Sequence, residues 1–585
     1  MEKKSEKTVL AVCVFILSAA VCVAYTVHNF SKSVVYSELG ISGENFIALN
    51  RNSVLCSSES LGKNSFVALG FTQNQIVHIQ NMMHESGAAI RITVKPKKAV
   101  SDLNSEFGYG FLTDADFTAS NRLKRKAALI SLVKGSFKTF AQQTLSLSVC
   151  LDKNSKIPAG VFFYSSVPYE VLSVKFTQSV VGWSREENLL FAFSSAGGTV
   201  ADDFSSVDFT DAASVFSDSD YILPAIKLSL SKTDDIGTYQ KQTSVRCSYG
   251  NENLLIRRSR RQTAVLLQTS AFSEPFAKLS LGENADMVRS VLLYRNEVCP
   301  RSDGYVLDPI PTDLGLIVEW PRENWRTSSY ELFEWEQFPG ILFFDFADYK
   351  TQSRFLTRLA YFVEKAGYKG TLVGDDFVEN RHGYNAHDYK SSDLAAFFSE
   401  ARRTDFTLNE SELLLRDILL HNKIIIEENG MYSAGSGAIV SISRESPLYL
   451  RRTFVAHESW HGIYFIDENF RNAVSTCYYM FDPRSMEFLQ VFWETQNSLG
   501  YDRSDEYLMQ NEFMAYIMQQ APFNVRAYFL GLANRGSVNV NQPELAAYVR
   551  ETNAEPFVQA ADFLNSYAFD NWGLAAGRVH LISRL

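Results

Sequence analysis

Two histidines separated by three residues, with a glutamate directly after the first, constrain this chain more than any other feature. They lie in Val455-Ala456-His457-Glu458-Ser459-Trp460-His461-Gly462-Ile463. The positions between and around the histidines carry no other charge, and on an α-helix positions i and i+4 share a face about 6 Å apart. His457 and His461 can therefore each turn one imidazole nitrogen to a single metal ion at roughly 2.1 Å. Glu458 then lies beside the metal, placed to take a proton. Only nine histidines occur in 585 residues, so chance explains this spacing poorly. The alternative is a helix whose histidines bond to backbone or water. A third ligand separates the two readings, because a catalytic zinc usually has three protein ligands and a water in the fourth position.

Asp467, six residues beyond His461, is one candidate. Tyr464 stands where a glycine would let the chain bend back to the metal, so a carboxylate at a helix end is the plainer role for Asp467. Farther on, Ser504 to Met518 reads as a helix that becomes apolar around most of its circumference and should be largely buried. Glu512, preceded by Asn511, falls in the middle of that run. A buried carboxylate is costly unless it is paired or coordinates a metal, which makes Glu512 the preferred third ligand. Its competing role is a partly exposed helix residue paired with Lys or Arg.

The motif H-E-x-x-H with a downstream N-E pair resembles the gluzincin type of zinc metallopeptidase, over roughly residues 435–520. The resemblance implies one zinc per chain held by His457, His461 and Glu512, with Glu458 as general base and acid. It also implies hydrolysis of peptide bonds in a protein or peptide substrate. The spacing from His461 to Glu512 is longer than in thermolysin-like members, and Tyr516 stands where an aspartate often follows. Such sites commonly use a Tyr or His to stabilise the oxyanion; Tyr501, Tyr507 and His580 are candidates.

Net charge is −10. The basic runs Arg122-Leu123-Lys124-Arg125-Lys126 and Arg257-Arg258-Ser259-Arg260-Arg261 belong to no wider basic domain, so no nucleic-acid partner is expected. They read most simply as solvated surface. Lys3, Lys4 and Lys7 precede an apolar run from about Val9 to Val27, the pattern of an export signal that keeps its positive end in the cytoplasm. The run is long enough for membrane anchoring through residues 8–27, and Cys22-Val23-Ala24 offers a cleavage site; both outcomes stay open. Beyond that segment five cysteines remain, widely spaced and odd in number, with no CxxC pair. They make no disulfide framework.

Short alternating segments between 34 and 310, such as Ala89 to Val94, Thr144 to Val149 and Ile226 to Leu230, predict β-sandwich-like accessory modules. From Gly340 the texture turns α/β. Ile341 to Phe346 is a buried-strand run, a helix follows near Ser353 to Ala366, and a second strand is expected near Gly370 to Val373. Arg381 to Tyr389, with His382 and His387, reads as an exposed connection, suited to loop packing, substrate contact or a second metal. An amphipathic helix over 408–421 and strands at Lys423 to Ile426 and Gly437 to Ile442 lead into the His457 helix. After Gln520 the chain is mostly helical.

The sequence thus predicts an α+β multidomain protein: signal peptide or anchor 1–33, β-rich modules 34–310, an α/β region 311–405 and a mainly helical zincin-like domain 406–585. The expected function is an exported, periplasmic or extracytoplasmic zinc metallopeptidase, secreted or membrane-anchored. The alternative is an envelope binding or scaffold protein whose zincin domain is inactive.

Overall fold

The computed structural model describes residues 222–231, 244–259, 262–297 and 305–585, the last range with single omissions at 366, 380, 382, 497, 498, 500 and 502. N-terminal to these it describes separate strands and short connections between 36 and 212. Residues 1–33, expected to be a signal peptide or anchor, lie outside the described residues. Among those described, no helix is long and apolar enough to cross a membrane. The chain divides into two compact units, Met1–Ser217 with Leu292–Tyr294, and Asp218–Val291 with Arg295–Leu585.

The first unit is built of strands where the sequence alternates. Ala88–Pro96 lies between Tyr169–Gln178 and Thr144–Leu151, antiparallel to both. Leu189–Phe193 joins Thr144–Leu151 in parallel and pairs back on Val181–Glu186. A second sheet runs Ser65–Gly70, Gly160–Ser165, Glu106–Leu112, Val133–Ser136, all antiparallel.

The expected module boundary at 310 does not coincide with the units, because from Asp218 onward the chain, Leu292–Tyr294 excepted, belongs with the C-terminal part. Glu252–Arg257 pairs with Ile582–Arg584, the last strand of the chain. Buried Asp313 reinforces this closure by accepting from the Leu581 and Ile582 amides. Arg258, expected on solvated surface, is 4% exposed and donates to Ser231 Oγ. Cys247 and Cys477 are free, buried thiols, and burial pushes both up to about 12.

The frame of the candidate site is a five-stranded sheet: β1 (Ile310–Thr312), β2 (Tyr330–Trp335), β3 (Ile341–Phe346), β4 (His387–Lys390) and β5 (Ala438–Ser443), in the order β1-β2-β3-β5-β4. Parallel β3 and β5 are buried along their whole length, as expected of apolar strands covered on both faces. Their pairing crosses residue 405, so the expected α/β and helical domains share one sheet. β4 pairs antiparallel with β5 at the edge. His387 to Tyr389 therefore lie in a strand rather than an exposed connection, and His387 is buried with Nδ1 2.9 Å from the Tyr389 hydroxyl. Gly383 allows this approach, since a Cβ there would meet the His387 ring at 2.8 Å. The strand expected near Gly370 to Val373 is absent; Gly370, at φ +74°, instead turns back to bond the Phe362 carbonyl.

Three helices, α1 (Tyr349–Val363), α2 (Ser391–Arg403) and α3 (Glu410–His421), pack with this sheet around Phe344, Phe346, Phe355, Phe397 and Ile418. The rest of the chain is mainly helical: α4 (Leu448–Ile466), α5 (Glu468–Met480), α6 (Pro483–Thr495), α7 (Glu506–Met518), α8 (Pro522–Ala533), α9 (Gly536–Asn541), α10 (Pro543–Glu551) and α11 (Glu555–Trp572). α4 lies against β4 and β5 on one side and α7 on another, and so buries most of its circumference. Gly462 keeps it close to the sheet, where an added Cβ would stand 3.2 Å from Ile341.

Asp345 on β3 ties down the first turns of α4. Its buried carboxylate accepts from Arg451 Nη1 at 2.8 Å and Nη2 at 2.9 Å, and from Arg444 Nε at 2.8 Å. Removing it would leave Arg451, 3% exposed, without a counter-charge. Asp345→Ala is expected to lower the unfolding free energy by about 3–5 kcal/mol. Glu319→Ala, which breaks the exposed pair with Arg452, should cost under about 1 kcal/mol. Denaturant midpoints of the two variants check the contrast.

Candidate metal centre

His457 and His461 project from one face of α4 with ring centroids 4.8 Å apart. α7 packs against that face, and Trp460 Nε1 donates to the Met518 carbonyl at 3.1 Å to hold the two helices together. Asp505 starts α7 by accepting from the Leu508 amide. Two turns into the helix, Glu512 reaches the histidines: His457 Nε2 is 3.9 Å from Oε2 and His461 Nε2 is 3.9 Å from Oε1. Two ligands at about 2.1 Å in a tetrahedral site stand roughly 3.4 Å apart, so a shared ion would draw these groups in by about half an ångström.

Glu512 is 4% exposed, and Oε2 has no hydrogen-bond partner among the described residues. Tyr501 bonds its carboxylate, but no Lys or Arg among the described residues pairs with it. The partly exposed, ion-paired role for Glu512 is therefore not what the structure has. Asp467 is turned to another task, capping α5 by accepting from the Phe470 amide at 2.9 Å.

The three groups open on a cavity of about 560 Å³ that Glu458 also lines. Sequence reasoning missed two further carboxylates there, Glu364 just after α1 and Asp388 on β4. Asp388 Oδ1 lies 4.0 Å from His461 Nε2, and its carboxyl hydrogen-bonds Glu458. Asp388, Glu458 and His461 thus form a second group compact enough for a cation, sharing His461 with the first. Gln519 was missed too. Its Oε1 is 3.2 Å from His457 Nδ1, and its place seven residues after Glu512 on one helix face was the available signal. Of the three hydroxyl or imidazole candidates only Tyr501 lines the cavity. Tyr507 packs against Tyr464, and His580 bonds Ser583 beside the last strand. His387 lines the cavity wall, and His382 lies outside the described residues.

Burial, reinforced by His461, holds His457 well below the usual imidazole range, so it is neutral and has a lone pair to give. Burial, then the neighbouring Asp388, pushes both Glu458 and Glu512 well above the usual carboxylate range. Glu364 rises for the same two reasons, opposed by Lys365. A neutral His457 beside carboxyls that resist ionising fits a divalent cation, whose charge would reverse that resistance. The chain matches no protein-family model and no curated protein.

The sign of the pH dependence follows. Carboxyls with folded pKa values raised above the ordinary 4.5 contribute stability that is complete below that value and lost as pH climbs through the raised ones. A cation that binds the ionised form restores it. The rise in melting temperature on adding zinc should therefore grow between about pH 5 and pH 8. Scanning calorimetry across that range tests it; a gain that shrinks with pH contradicts the assignment.

Proposed function

We propose that this protein is a zinc metallopeptidase in which His457, His461 and Glu512 hold the metal and Glu458 is the general base and acid. The observation that carries this reading is the convergence of two imidazole nitrogens with the unpartnered Glu512 Oε2 on a cavity that Glu458 shares. Zinc bound there would supply Lewis acidity and a water acidified towards neutrality.

The chain's own groups account for the rest. Glu458 collects the proton of the attacking water and delivers it to the departing amine. Asp388, bonded to Glu458, keeps that carboxyl turned into the cavity. Residues 383–388 of the cavity wall lead into β4, the edge strand beside α4. An extended peptide added to such an edge is held by its backbone, which suits a protein or peptide substrate read with loose side-chain specificity. The reading takes with it a zincin-like fold for the helical region around α4 and α7, and export directed by the N-terminal apolar run.

Three preparations of the full chain test it: parent, Glu512→Ala and Glu458→Gln, each assayed for zinc by mass spectrometry and for cleavage of an unstructured protein. The parent should contain one zinc per chain and Glu512→Ala should lose it. Glu458→Gln should keep zinc while cleavage falls about 10²- to 10⁴-fold. Zinc retained by Glu512→Ala would remove that residue from the ligand set, and undiminished cleavage by Glu458→Gln would end the general-base role.

A further inference from the structure

The orientation of the Gln519 side chain determines which nitrogen of His457 can bind a metal. Gln519 is 9% exposed and ends α7. Its amide nitrogen lies 3.4 Å from the Tyr516 carbonyl oxygen and 3.0 Å from the Tyr528 hydroxyl, while Oε1 lies 3.2 Å from His457 Nδ1. A backbone carbonyl only accepts, so the NH₂ end of the amide must face Tyr516, and Oε1 is left facing the imidazole. An amide oxygen only accepts in turn. A neutral His457 must therefore place its one ring proton on Nδ1, which leaves the lone pair on Nε2, the atom nearest Glu512.

We infer that Gln519 is a positioning residue that holds His457 in the Nδ1–H tautomer and points Nε2 at the metal, with Tyr516 and Tyr528 holding the amide. The spacing 512, 516, 519 puts ligand, carbonyl and amide along one face of α7. Glu512 and the group that aims His457 are thus parts of one rigid element. The amide adds no charge to a cavity already lined by Glu364, Asp388, Glu458 and Glu512. A carboxylate in its place would accept the same proton and add a further buried charge.

The tautomer stands independently of the proposed function; its effect on zinc rests on that reading. In the metal-free full chain labelled with ¹⁵N-histidine, the signals lost in His457→Asn identify His457, and they should show the proton on Nδ1. The opposite tautomer overturns the inference. Competition with a chelator then compares zinc affinities. Gln519→Leu should bind about 10–100-fold more weakly than the parent. Gln519→Glu should bind at least as tightly, because it still accepts from Nδ1. If Gln519 acted only by donating to the Tyr516 carbonyl at the end of α7, Glu, which cannot make that bond, would be as damaging as Leu. Parent-like affinity in a Leu variant with unchanged circular dichroism also overturns the inference. A parent that takes up no zinc ends the metallopeptidase reading, and the tautomer measurement still decides this one.

Discussion

Glu512 is the constraint around which the C-terminal half is arranged. A carboxylate among Phe513, Met514, Ala515 and Ile517, all buried, loses hydration worth several kcal/mol, and an apolar residue of similar volume would pack there at no such cost. What faces Glu512 instead is a pair of imidazole nitrogens at equal distance, each on a ring that burial or close packing makes hard to move. A neutral His457 does little to offset a buried charge. The arrangement is frustrated as protein alone, and on the proposed reading a cation at its centre would resolve the frustration; local conflict of this kind is what functional sites show.

On the proposed reading such a centre would work only if two helices keep their register, since an error of about 1 Å at a reacting site can cost 10²-fold in rate. The helix with the histidines has no side-chain cap at its start and takes its position from tertiary contacts. Arg451 is clamped to Asp345 on the central strand, Gly462 removes the side chain that would lift the helix off Ile341, and Trp460 bonds the end of the Glu512 helix. These three contacts fall within twelve residues and surround His457 and His461. The buried ion pair adds a geometric role here to its electrostatic one.

How far the sequence could be read depended on where each group gets its position. His457, Glu458 and His461 were legible because their relation lies within one helix. Glu512 was legible because a charge inside an apolar helical run has few uses. Asp388 reaches the cavity only because His387–Lys390 pairs with a strand some fifty residues later, and no local pattern announces that pairing. The same segment looked like a loop, since its glycine and aromatics suit a turn as well as a tight approach to a strand. The strands between 34 and 310 could be seen in their alternation, but their partners could not. Glu252–Arg257 joins the end of the chain, across more than three hundred residues, so a boundary drawn from composition does not follow the division into compact units.

The pair Glu458 and Asp388 sets the remaining chemistry. Burial and then the neighbouring Asp388 hold the Glu458 carboxyl well above the ordinary carboxylate range, so as protein alone it keeps its proton. Such a carboxyl is a poor base. A charge of +2 beside it would, on the proposed reading, lower the cost of ionising, and Asp388 would keep the carboxyl turned into the cavity. On the proposed reading, the strand that carries Asp388 is also the one along which a peptide would lie. Base and substrate would then be positioned by two elements, the histidine helix and the edge strand, whose separation is set by the fully buried strand Ala438–Ser443 that both pack against.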